Sequence, residues 1–186
     1  MTTLRKAAAG LAAAGLMTIA PVTAHAATTG PDLAPKFTVS KLKAPGHLGL
    51  VALRIDNVGP TFYYGDSPAV QFVVKVHTVK GPRGVDRVIT PHGFDGATVQ
   101  DLGFDAATST RSFRVVLANG IKPGRTALVA NFNFADGLTT EGRLVQEMSV
   151  SQVGRIPGDH SSGNDQDISS VDHTFTDFGR PIVGRF

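Results

Sequence analysis

Apolar and polar residues alternate along most of this chain, and they do so in short runs closed by Gly, Pro, Asn and Asp. In AVQFVVKVHTV, Val70, Phe72, Val74 and Val76 share one parity while Gln71, Lys75 and His77 share the other. A strand with one buried face requires that period of two. Val51, Leu53 and Ile55 oppose Arg54 and Asp56, and Phe113, Val115 and Leu117 oppose Ser112 and Arg114. Leu128, Ala130, Phe132 and Phe134 oppose Asn131 and Asn133 in the same way. Further strands are expected at Phe37–Leu42, Val85–Thr90, Thr98–Phe104 and Arg143–Val153. In the last of these, Leu144, Val145 and Met148 also trace a helical stripe, and a strand is the favoured reading. No other stretch has a convincing helical face. About seven or eight short strands with turns between them predict an all-β, antiparallel β-sandwich over residues 36–153.

The two ends read differently. Residues 1–26 have the layout of a bacterial secretory signal peptide: Arg5 and Lys6, an apolar run from Ala7 to Ala20, and the small-residue site Ala24-His25-Ala26. That run is shorter than the ~20 residues of a membrane span, so cleavage before Ala27 and export are expected. Residues 27–35 read as a flexible leader. Residues 154–186 are rich in Gly, Ser and Asp with widely spaced apolar residues, and are expected to form a polar, mostly disordered tail. Phe175, Phe178, Ile182 and Phe186 are its candidates for local docking.

Export changes the charge balance. Without Arg5 and Lys6, the 18 basic residues fall to 16 against 15 acidic ones, a net charge of +1. With no basic patch, the electrostatic footprint of a nucleic-acid binder is missing. The chain has no cysteine, which removes disulfides, thiolate ligands and lipid attachment at a new N-terminal cysteine. No second apolar stretch reaches membrane-span length. The absence of Trp and the pairing of the two tyrosines argue against an outer-membrane barrel, which carries aromatic girdles at two interfaces.

Two stretches, VALRIDNVGP and FRVVLANGIKPGRTALVANFNFADG, together resemble secreted bacterial immunoglobulin-like domains. In those domains a similar Asn-x-Gly closes an early strand and a Gly-x-x-Pro-Gly connection joins two later ones. The local physics is that Asn and Gly tolerate positive φ at a turn, Pro123 fixes φ, and Gly124 lets the chain reverse. The resemblance implies an immunoglobulin-like sandwich lacking the cystine and tryptophan of antibody domains.

Candidate chemistry is sparse. GDHSSG at 158–163 has neither nucleophile-elbow spacing nor a rigid scaffold. Asp159, His160, Asp165, Asp167, Asp172 and His173 concentrate ligand types but lack the glycine and terminal glutamate of a calcium loop. His47, His77 and His92 are isolated, so no metal site and no cofactor is expected. The loop GPTFYYGDSP places Phe62, Tyr63 and Tyr64 together at one end of the sandwich, where such folds carry binding loops. These three are the candidate ligand-binding residues, with capping of the core as the competing role. Asn131, Asn133 and Arg114 are a candidate polar sheet face.

The expectation is an exported, non-enzymatic binding module in the extracellular space or at the cell envelope, with an envelope protein or glycan as partner. One alternative is a secreted hydrolase drawing a carboxylate pair from Asp86, Asp95, Asp101 and Asp105. The other is an envelope building block that self-associates through an edge strand.

Overall fold

A computed structural model describes residues 29–39, 49–64, 69–80, 89–134, 145–154, 158–159 and 162–176. Residues 1–26, where a signal peptide is expected, and Asp86, His47, His160, Phe178, Ile182 and Phe186 lie outside these residues. The described residues are all β. Eight strands follow the sequence pattern: β1 (Leu33–Val39), β2 (Gly49–Asn57), β3 (Gln71–Lys80), β4 (Ile89–Gly93), β5 (Thr98–Asp105), β6 (Thr110–Val116), β7 (Thr126–Phe134) and β8 (Val145–Val153). Two more, β9 (Ile168–Ser169) and β10 (Thr174–Thr176), come from the C-terminal segment. They form two five-stranded sheets, ordered β10-β1-β2-β7-β4 and β5-β6-β3-β8-β9. All pairings are antiparallel except β1 with β10.

One face of each sheet is dry, as the alternation requires. Leu53, Ile55, Phe132 and Phe134 from the first sheet and Phe72, Val74, Phe113, Val115, Met148 and Val150 from the second belong to a single core. The layers meet directly, with the Phe113 and Phe132 rings 5.2 Å apart between centroids. β8 is a strand because Met148 and Val150 point inward while Glu147, Ser149 and Ser151 do not. The helical stripe expected nothing of Val150, which lies fully inside.

β7 keeps its expected phase at Ala130, Phe132 and Phe134, which lie inside, and departs from it only at Leu128. The register shifts between Leu53 and Arg54 of β2, leaving Val129 as an extra residue between Leu128 and Ala130. This bulge turns Val129 fully inward and sets Leu128 opposite the half-buried Arg54. The two prolines within strands also find the positions that tolerate them. Pro91 lies on β4, an edge. Pro35 lies on β1 beyond the reach of β10, which begins opposite Phe37, so its missing N–H leaves no acceptor unmet.

Both terminal segments are more ordered than their compositions suggest. β1 starts at Leu33, within the expected flexible leader, and Leu33 is fully buried. The C-terminal segment is corrected over residues 162–176: it crosses from one sheet to the other, pairing β9 with β8 and β10 with β1. Apolar burial contributes little to this beyond Ile168. Hydrogen bonding contributes the rest: Ser170 Oγ accepts from Met148 N at 2.9 Å, Ser170 N donates to Met148 O at 2.7 Å, and Phe37 N donates to His173 O at 3.1 Å. A composition argument counts apolar surface and so misses a segment whose order comes from satisfying two open edges.

Candidate binding surface

One end of the sandwich gathers the β2–β3, β4–β5 and β6–β7 connections, and Asn57 ties the first and last of these to each other and to the segment before β1. Its Oδ1 accepts from Gly59 N at 3.1 Å and Asp32 N at 3.3 Å, while Nδ2 donates to Thr61 O and Ile121 O, both at 2.8 Å. Its main chain also donates to Arg125 O at 3.0 Å and accepts from Gly124 N at 2.8 Å. Every hydrogen-bonding position of this fully buried amide is thereby used. Asn and Gly tolerate positive φ at a turn, but neither Asn57 nor Gly59 adopts it. Asn57 stays in the strand and acts through its side chain, and Gly59 is there for close approach, since a Cβ would come within 2.4 Å of Asp32 N. Only the later turn works as expected. In Lys122-Pro123-Gly124-Arg125, Pro123 and Gly124 at φ +67° form a type II turn closed by Arg125 N on Lys122 O at 3.1 Å.

The three candidate aromatics divide between core and surface. Tyr63 is 1% exposed. Its main chain bonds Ile121 in both directions, at 3.0 and 2.9 Å. Its hydroxyl donates to Leu117 O at 3.3 Å and accepts from Val70 N at 3.2 Å. Tyr63 is therefore the cap of the core and offers no face to a ligand. Phe62 and Tyr64, on either side of it, turn the other way. Their rings meet edge to face with centroids 4.4 Å apart, and Tyr64 is 67% exposed. The Phe62 ring lies across Gly120, where a Cβ would come within 2.5 Å of Phe62 Cζ. Gly120 is thus part of the site, a residue that turn chemistry alone did not single out.

The remaining candidates are scattered. Asn131 and Asn133 lie on the first sheet and Arg114 on the second, so they share no face. Asp95 sits in the exposed β4–β5 turn, whose Ala97 N donates to Phe94 O at 2.8 Å. Asp101 is paired with Arg111. Burial pushes the Asp101 carboxyl up, but the Arg111 hydrogen bond, the Gly103 N–H and the Arg111 charge together hold it below the ordinary 3.8. Asp105 is likewise lowered, by the Thr108 hydroxyl and the Ala107 N–H. His77 Nδ1 lies 3.2 Å from Thr110 Oγ1, and His92 stacks edge-on with Phe94 at 4.8 Å.

In the C-terminal segment, Asp159 and Asp165 are buried while Asp167 and Asp172 are exposed. Gln152 Nε2 donates to Asp159 at 2.7 Å, Gln166 Nε2 to Asp165 at 3.1 Å, and Asn164 Nδ2 to Asp32 at 2.9 Å. The Asp159 and Asp32 contacts, with Gln152 N donating to Asp165 O at 2.8 Å and Gln166 Nε2 to Gln152 O at 2.9 Å, fasten the segment to the sandwich. Among the described residues no three His, Cys, Asp or Glu side chains are grouped so as to hold a metal ion. Nor is any helix among them long and apolar enough to cross a membrane. No family model, curated protein or solved structure matches the chain.

Proposed function

We propose that the chain is an exported, non-enzymatic binding module of the bacterial cell envelope or extracellular space, with its contact surface at the Phe62–Tyr64 end. The observation that carries this reading is the exposed Tyr64 ring, packed edge to face against the half-buried Phe62 on loops fastened by a fully hydrogen-bonded Asn57. A large apolar ring that stays exposed while its neighbour Tyr63 is buried is suited to contact, and rigid mounting lowers the entropy lost on binding. The immunoglobulin-like reading draws support from strand order: β1-β2-β7-β4 facing β9-β8-β3 follows the order of four strands against three in that fold, with β5 and β6 added beside β3.

A loop end suits recognition better than a strand edge in this molecule. Pro91 interrupts β4, Leu102 bulges out of β5 beside Asp101, and β9 and β10 are two and three residues long. Such edges resist pairing with a further strand. The experiment is recovery of partners from an envelope extract by the wild type and by Tyr64→Ala. Loss of the partner at an unchanged melting temperature is expected; undiminished recovery would overturn the assignment of the surface.

A further inference from the structure

We infer that Asn119 is a site of covalent self-modification, at which the main-chain nitrogen of Gly120 displaces ammonia from the side-chain amide and leaves a carboxylate in its place. Of the five asparagines, Asn57, Asn119, Asn131, Asn133 and Asn164, Asn119 alone precedes a glycine. A residue with no Cβ leaves its nitrogen open to approach. Asn131 and Asn133 each precede a phenylalanine, the Asn57 amide is fully hydrogen-bonded, and Asn164 Nδ2 donates to Asp32. Asn119 is exposed, and its amide joins no hydrogen bond among the described residues. The Gly120 N–H joins none either, for a structural reason. Tyr63 and Ile121 exchange both main-chain bonds, and such bonds alternate along an antiparallel pair, so the Gly120 N–H is turned away from the Tyr63 segment. Packing alone places the amide. A Cβ on Gly96 would lie 2.6 Å from Cγ, Oδ1 and Nδ2 of Asn119 alike, so the carboxamide lies flat on the bare backbone of that turn. No hydrogen bond has to break before it rotates onto Gly120 N.

The reaction balances with water as its co-reactant and needs no oxidant. Gly120 N gives its proton to hydroxide and attacks Asn119 Cγ; the N–Cγ bond forms, the Cγ–Nδ2 bond breaks, and Nδ2 takes up a proton and leaves as ammonia. Water then opens the cyclic imide. Cleavage at Cγ leaves aspartate, whereas cleavage at the main-chain carbonyl leaves isoaspartate, in which the chain runs through Cβ and Cγ and is longer by a carbon. The fold determines where that carbon must go. Leu117 O accepts from the Tyr63 hydroxyl, and Ile121 is bonded to the Tyr63 main chain in both directions, so both ends of the passage from Leu117 to Ile121 are fastened to one buried residue. The excess must bulge between them, and at Gly120 the Phe62 ring is already so close that a Cβ would come within 2.5 Å of it. Isoaspartate therefore lifts Phe62 from its seat and parts it from Tyr64, whose ring it meets edge to face at 4.4 Å.

The test is prolonged incubation of the purified protein at mildly alkaline pH, followed by peptide mapping and near-ultraviolet circular dichroism. The chain has two tyrosines, Tyr63 and Tyr64, and no tryptophan, so the tyrosine band reads this loop. Asn119 is expected to convert in the folded protein at a rate proportional to hydroxide, while the amides of Asn57, Asn131, Asn133 and Asn164 stay intact and Asn119→Ser abolishes the change. The tyrosine band should lose intensity as isoaspartate accumulates. A fresh Asn119→Asp variant, which carries the charge without the added carbon, should keep it. Asn119 left intact in the folded protein, whether or not the urea-unfolded chain converts it, would overturn the site, as would equal conversion at another asparagine. A tyrosine band unaltered in the converted protein, or lost equally in Asn119→Asp, would overturn the displacement of Phe62. Gly120→Ala is no control, because its Cβ would strike the Phe62 ring by itself. Reduced partner recovery by the converted protein rests on the reading of this end as a contact surface, so conversion with undiminished recovery would count against that reading and leave the modification standing.

Discussion

Asn57 and Tyr63 do at the residue scale what no pair of apolar side chains could: each joins segments distant in sequence through bonds of fixed direction. Replacing Asn57 by alanine takes the side-chain partner from the Gly59 and Asp32 N–H groups and from the Thr61 carbonyl, and leaves Ile121 O with the Tyr63 N–H alone; a buried unmet group costs ~1–3 kcal/mol. Some relaxation toward water is available at a loop end, so a loss of about 3–4 kcal/mol is expected in chemical denaturation, with Asn57→Asp nearly as damaging because it exchanges the donors for a charge. Tyr63→Phe retains the ring and loses two hydrogen bonds, for about 1–2 kcal/mol. Tyr64→Ala, on a mostly exposed ring, should move stability by no more than ~0.5 kcal/mol. Equal losses at Tyr63 and Tyr64 would contradict the division into core and surface. The sequence marks all three aromatics alike, since a run of Phe-Tyr-Tyr in a loop has no internal sign of which ring points inward. That sign is supplied by Ile121, fifty-eight positions downstream by residue number, whose bridge sets the parity.

Strands with a strict period of two were legible because inward and outward residues differ in kind, as in Val74-Lys75-Val76-His77 of β3. β7 was legible as a strand and in its phase from Ala130 to Phe134, but not in the bulge that exchanges Leu128 for Val129, because a bulge obeys the partner strand and the local run of apolar residues accommodates either setting. β9 and β10 were not legible at all. Their stability lies in hydrogen bonds to β8 and β1, and no period exists in strands of two and three residues. The β5–β6 hairpin carries a prediction of its own. Asp101 and Asp105 both titrate below 3.8, so each contributes stability that is complete above that value and is lost as pH falls through the depressed one. The melting temperature should therefore be level with respect to these two groups above about pH 5 and decline on acidification below about pH 4, following the ordinary aspartate value. Asp101→Asn should make that acid decline shallower. Because the Asp101–Arg111 pair is partly open to solvent, its loss at neutral pH should cost no more than about 1 kcal/mol. An acid limb of unchanged steepness in Asp101→Asn would show that the pair contributes nothing to the pH response.

Closure of the sandwich is a property of the whole molecule, because one C-terminal passage serves both sheets. Residues 168–176 pair first with β8 of one sheet and then with β1 of the other, and Ile168 enters the common core between them. Gly30 and Gly158 approach so closely that a Cβ on Gly30 would lie 2.8 Å from the Gly158 backbone, bringing the two terminal segments together at the loop end. Removing everything after Gly154 would accordingly do more than shorten a tail. It would open the edges of β8 and β1 at once, uncover the core around Ile168, and release Asp32 from Asn164. Open edges next to exposed apolar surface favour pairing between copies, so the truncated protein should associate in light scattering and lose its cooperative melt, while the full chain melts in one transition. A milder variant separates the two consequences: Ile168→Ala removes core contact and keeps the edge bonds, for a loss of about 2 kcal/mol with no gain in association. A truncated protein that stayed monomeric and melted like the full chain would mean that the eight earlier strands are sufficient and that the crossing segment merely rests on them.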